Sequence, residues 1–297
     1  MKRILALGLL LVSTAAHADS KAWAAAKKVI PANMEMVLGV NAATAHTSAL
    51  YQTLLPMALA KAGDAATELD GIKADCGIDV VSSIDSVVVG LDSQQKGTIV
   101  VAFRGTTRGK LEACAQKRAK AQQKTLTITN AGPLTSYAGV NGHEIFLRWL
   151  AADVVALATT PDDKDATMAA TAGGVAGDPA LHGLRTVNTS ASLWAVSTKQ
   201  SDLPSDIPGK MTGAFGSANL VSGAIAIDLH VAVDSPKTAS DAVTKAQSQL
   251  GQAQGQGALA DLLKTVKVSA AGNEILVTAQ IPEKALLGLL AMFGMQN

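Results

Sequence analysis

Three short stretches hold the residue types of a serine acyl-transferase in the order such chemistry uses them: Ser93-Gln94-Gln95-Lys96, Ser217-Ala218-Asn219 and Lys237-Thr238-Ala239. The reaction needs the serine and the first lysine one helical turn apart, so that the amine can polarise the hydroxyl. Ser93 and Lys96 instead fall in the polar loop Asp92-Ser93-Gln94-Gln95-Lys96-Gly97 between two β-branched runs. A loop does not stack side chains at i and i+3 as a helix does. The third stretch lacks its glycine and opens a helical pattern. The set therefore does not assemble from sequence.

A second candidate is Gly105-Thr106-Thr107-Arg108-Gly109-Lys110, which follows a strand pattern and opens a helix, the setting of a phosphate-cradling loop. It is one residue short, and Leu111 stands where a magnesium-binding hydroxyl belongs. What remains is a helix start with Arg104, Arg108 and Lys110 as candidate anion-binding residues. Lys117, Arg118, Lys120 and Lys124 continue the basic stretch, with Glu112 the only acid between positions 104 and 124. Lys117, Lys120 and Lys124 are candidates for a partner-facing surface, against the plainer reading of a solvated helix face.

The remaining chemistry-bearing residues are scattered. His46, His143, His182 and His230 have no metal-ligand spacing, and His143-Glu144 lacks the second histidine of a zinc-protease motif. Asp162, Asp163 and Asp165 lack the glycine and closing glutamate of a calcium loop and suit a helix N-terminus better. There is no Gly-x-Ser-x-Gly elbow. No catalytic residue, metal site or cofactor is assigned from these residues.

The elements that must position them alternate. Val37–Val40 is a short strand, and residues 48–62 form a helical pattern that contains Pro56. Ile84–Leu91 and Thr98–Phe103 make a hairpin, 105–123 a helix, and 143–150 with 154–159 a second hairpin. From 211 the order recurs: a hairpin over 211–218 and 224–233, an Ala-rich helix over 239–250, a hairpin over 266–269 and 274–281, and a closing helix from Pro282. That helix carries Leu286, Leu287, Leu289, Leu290, Met292, Phe293 and Met295, apolar on more than one face. The fold class expected is α+β, two similar halves (19–160 and 191–297) joined by a hinge and linking helix over 161–190, an internal duplication of architecture.

Composition sets the surroundings. Lys2 and Arg3 precede the apolar run Ile4–Val12, and Ala16-His17-Ala18 is a small-x-small cleavage pattern, so the chain is expected to be exported and to begin near Asp19. No later run approaches the roughly 20 apolar residues of a membrane span. Losing Lys2 and Arg3 changes the formal charge from +1 to −1, which implies no nucleic acid or other bulk polyanion. The only two cysteines, Cys76 and Cys114, are expected to be joined, because oxidising compartments keep such bonds. Closing 38 residues would be worth about 4 kcal/mol in the chain-entropy model.

With Cys76-Gly77-Ile78-Asp79 placed before the first hairpin, the arrangement resembles a group of exported bacterial proteins built from paired α+β repeats. That resemblance implies a fold and no activity, and no functional residue is carried over from it. Together these features favour a non-catalytic envelope protein that presents a groove or helical surface to a protein partner or an apolar ligand. The alternatives are a carrier of lipid or another hydrophobic molecule, which requires a lined cavity, and a hydrolase whose residues converge only in three dimensions.

Overall fold

The computed structural model describes residues 19–286, apart from 47, 62, 141–142, 176–178, 204–206, 208, 222 and 254–262. The expected leader at 1–18 and the part of the expected closing helix beyond 286 lie outside them. Pro282 ends a strand, and the helical turn begins one residue later, at 283.

The described chain is an α+β structure around one antiparallel sheet of thirteen strands. In chain order the elements are α1 Lys21–Ala26, β1 Met36–Val40, α2 Ala42–Ala45, α3 Ala49–Lys61, α4 Asp64–Cys76, α5 Val80–Ser83, β2 Ile84–Leu91, β3 Gly97–Phe103 and α6 Arg108–Ala121. There follow β4 Thr127–Ala131, β5 Leu134–Val140, β6 His143–Ala151, β7 Val154–Ala158, α7 Lys164–Ala170 and 3-10 turns over Pro179–Arg185. The chain continues through β8 Leu193–Ser197, β9 Ser201–Asp202, β10 Lys210–Val221, β11 Ala224–Val233, α8 Pro236–Ala253, β12 Lys267–Ala271 and β13 Glu274–Pro282. β1 and β8 lie side by side at the centre. Outward from β1 run β2, β3, β7, β6, β5 and β4, and outward from β8 run β10, β11, β13 and β12, with the short β9 on β10.

Alternation along the strands gives the sheet two different faces. On the first, β8 contributes Trp194 and Val196, and neighbouring strands contribute Val37, Val88, Val100, Ala102, Val154 and Ala156, all buried. They pack beneath α1, whose Ala22, Trp23 and Ala26 are buried, and beneath Val29, Ile30, Met34, Val175 and Leu181. The 161–190 segment thus carries α7 and also inserts two side chains into this core. Burying each branched side chain is worth about 1.5–3 kcal/mol. Trp23 meets Trp194 edge-on with 4.9 Å between ring centroids. Gly39 makes room for this pair, since a Cβ there would lie 2.2 Å from Cε2 of Trp194.

Local signals explain the boundaries. Ser20 caps α1 by accepting from Trp23 N–H at 3.3 Å, and Asp163 caps α7 by accepting from Ala166 N–H at 2.9 Å. The acidic group at 162–165 is therefore a helix start. α4 stops at Gly77, which takes the left-handed conformation with φ 67°. Cys76 at its end is bonded to Cys114 in the middle of α6. Arg118, one helical turn further along α6, reaches back to Glu68 at 2.9 Å and Asp75 at 3.1 Å on α4. The approach depends on Gly71, where a Cβ would come within 2.7 Å of the guanidinium.

Candidate functional site

Among the described residues the second face is covered only at its ends. α6 lies over β3, β7, β6 and β5, with Leu111 and Ala115 above Phe103, Leu147, Trp149 and Val155. At the other end α8 places Ala239, Ala242 and Val243 over Val231, Ile275, Val277 and Val268. Between them lies an open apolar groove of about 400 Å³ across β1, β8, β10 and β11.

Register shows how the groove arises. Leu38 pairs with Ala195, Ala195 with Gly216, and Gly216 with Leu229. One row across four strands is thus large, small, small, large, a trough about 14 Å wide at ordinary strand spacing. The next row is Val40, Leu193, Ala218 and Ile227. Leu193 is 48% exposed and Leu229 36% exposed, although both stand on interior strands of the sheet. Asp228, Ser197 and Ser217 are the only residues with hydrogen-bonding side chains, apart from Trp194, along the lining. Such a surface offers contact area to a hydrocarbon and little to a polar substrate.

The residues singled out from the sequence scatter over other regions. Ser93 and Lys96 are exposed in the β2–β3 turn, where the Asp92 carboxylate accepts from the N–H groups of Gln94 and Lys96. Ser217 lies on β10 and Lys237 in the first turn of α8, so the three acyl-transferase stretches are not brought together.

The basic stretch divides. Arg108 turns toward the sheet, where it pairs with Glu112 at 2.7 Å, donates to Asn130 at 2.7 Å and lies 5.9 Å from the Trp149 ring. Arg104 and Lys110 face the opposite way, into a cleft beside the disulfide, and Lys117 joins them there. Lys120 is exposed on α6, and Lys124 follows the helix end. Glu112 also accepts from the Tyr137 hydroxyl at 2.7 Å, and Tyr137 accepts from Trp149 Nε1 at 2.9 Å. Burial first, then the bond to Glu112, pushes the Tyr137 phenol up to about 12. Beside the cleft, the hydrogen bond from Lys73 and then that from Ser82 N–H hold the Asp79 carboxyl below its usual range.

One grouping escaped the sequence. His230 sits between Glu274, 3.1 Å from Nδ1, and Asp228, 3.4 Å from Nε2, and stacks on Phe215 at 4.5 Å. The readable sign was Asp228-x-His230, two residues apart and so on one face of a strand; Glu274 arrives from β13. Ser217 is opposite Asp228 in the register. No hydrogen bond joins Ser217 to His230 among the described residues, so the group is a His-carboxylate cluster without an activated nucleophile. Among the described residues no helix is long and apolar enough to cross a membrane.

The sequence matches no family model and no curated protein. Its fold is similar to that of TP0453: crystal form I superposes with a TM-score of 0.50, covering 90% of this chain and 96% of that one at 8% identity. Crystal form III of the same protein gives a TM-score of 0.48 over 89% of this chain, also at 8% identity. At that identity the likeness is one of fold.

Proposed function

We propose that this chain is an exported, non-catalytic envelope protein that binds an apolar ligand along the open face of its sheet. The observation that carries this reading is the groove itself. A patch of small residues from two adjacent rows, Ala195, Gly216 and Ala218, lies between Leu38, Leu193, Ile227 and Leu229 in the middle of a sheet whose two ends are capped by α6 and α8. Leaving such a strip in water forgoes about 25 cal/mol for every square ångström of apolar surface. The volume falls within the range of small-molecule sites, and a lining whose one charged residue is Asp228 fits an acyl chain or similar hydrocarbon.

The strand order supports reading the chain as two related halves. From the central pair, β1-β2-β3-β7-β6 matches β8-β10-β11-β13-β12, each half passing a helix, α6 or α8, to the same face. On this reading β4 and β5 are an insertion, and the groove lies where the halves meet. The apolar leader run and the Cys76–Cys114 bond fit an exported protein whose mature chain begins near Asp19.

A fluorescent acyl probe titrated into the purified protein tests the function. Saturable binding at one probe per chain is expected, with Leu193→Asp weakening it about tenfold, a loss of about 1.4 kcal/mol. Met168→Asp, at an exposed position on α7, should leave binding unchanged. If Leu193→Asp binds like the parent, the groove is not the site.

A further inference from the structure

We propose that the cleft beside the Cys76–Cys114 bridge is a second site, independent of the groove, that binds a phosphate ester. The cleft measures about 670 Å³ and forms where the end of α4, the turn into α5 and the stretch of α6 from Lys110 to Lys117 meet. Arg104 reaches it from the end of β3. Lys110 and Lys117 reach it from α6, seven residues apart and hence on one face, two turns apart.

The charge balance of the cleft points to an anion. Its two carboxylates already have partners outside the lining: Asp75 binds Arg118 at 3.1 Å, and Asp79 binds Lys73 at 2.8 Å. The three cations have no carboxylate among the described residues. Arg104 donates to Ser82 O at 3.4 Å, Lys110 donates to Gly105 O at 2.8 Å, and Lys117 donates to Asp75 O. These acceptors are neutral backbone carbonyls, which an oxyanion outcompetes because it adds attraction between opposite full charges to the hydrogen bond. Thr106 adds a donor of a different kind. It is 94% buried against the cleft, and its hydroxyl has no hydrogen-bond partner among the described residues. Arg108 takes no part, since it is committed to Glu112 and Asn130 on the other side of α6.

Three cations and a hydroxyl around one volume suit a phosphate, which carries about −1.5 to −2 charges and three acceptor oxygens as a monoester. The cleft has the size of a small-molecule site and holds far more than the anion alone. The ester's remaining part would lie against Ile78, Ala113 and the disulfide. A soluble phosphate monoester presents this chemistry in full, and an anionic phospholipid headgroup presents its singly charged diester form.

Two probes separate those sources: glycerol 3-phosphate followed by titration calorimetry, and co-sedimentation with phosphatidylglycerol vesicles against phosphatidylcholine vesicles. Binding to the first identifies a soluble ester, and selective binding to phosphatidylglycerol alone identifies a headgroup. In either case Lys110→Gln should weaken binding about tenfold or more, while Lys120→Gln, the same charge change on the exposed side of α6, should alter it less than about twofold. Thr106→Val keeps the net charge and should also weaken binding. The proposal is overturned if neither probe binds, or if Lys110→Gln and Lys120→Gln have equal effects, which is the signature of diffuse attraction to a basic helix.

Discussion

Leu193 and Trp194 are neighbours on one central strand, yet Leu193 is 48% exposed and Trp194 is 1% exposed. The strand is the same for both; what differs is the layer above it. On the first face α1, the following turn and the segment around Leu181 meet over the middle of the sheet. On the second face the helices α6 and α8 stand at opposite ends, and no described residue covers the middle. A face of a sheet becomes core or binding surface according to what the connections lay over it, and alternation alone assigns residues only to one side or the other.

Trp194→Ala should break the covered face. Removing a buried aromatic costs about 3–5 kcal/mol, whereas Leu193→Ala, one residue away, should stay within about 0.5 kcal/mol. Denaturant unfolding of both variants measures the contrast, and equal losses would mean that the second face is also packed. A smaller effect comes from adding an atom. Gly39→Ala places a methyl group against the Trp194 ring, and overpacking of this kind costs about 1–3 kcal/mol. Circular dichroism melts should show a lowered midpoint, and an unchanged midpoint would mean that the indole shifts freely.

The smallest expected effect sharpens the picture at one capped end of the second face. The Tyr137 phenol is pushed up to about 12, so the folded state keeps this proton where the unfolded chain, near 10, has lost it. Below pH 10 the contribution is fully present, and it is lost as pH rises toward 12. Ultraviolet titration of phenolate should show one tyrosine ionising last, and Tyr137→Phe should remove that step. If the late step persists in Tyr137→Phe, α6 is not held to the sheet through this hydroxyl.

Much of the architecture was legible because it is local. The β2–β3 and β10–β11 hairpins announce themselves as β-branched runs around short polar turns, and α6 and α8 follow their hairpins. Other elements carried weaker signals. α4 is polar and holds Gly71, so its helical face is hard to see until Arg118 and Cys114 are placed against it. β8 is only five residues long, and β5, Leu134–Val140, contains both a glycine and little aliphatic character. The groove was not legible, because Leu38, Ala195, Gly216 and Leu229 come from four strands and none is unusual in its own segment. The basic stretch was visible, but its division was not drawn: Arg108 and Glu112 stand four residues apart, the spacing of a helical ion pair, and that pairing separates Arg108 from Arg104 and Lys110.

The central strand pair also sets a timetable. Met36 pairs with Ser197, about 160 positions later in the chain, so this ladder closes only after the hairpins between them are available. At about 5–20 residues per second of synthesis, the bare edge of β1 waits roughly 10–30 s for its partner. During that interval it is an open template for any extended chain nearby. The strand that organises the finished sheet is thus also the segment that a chaperone, or a second nascent copy, has the longest opportunity to meet.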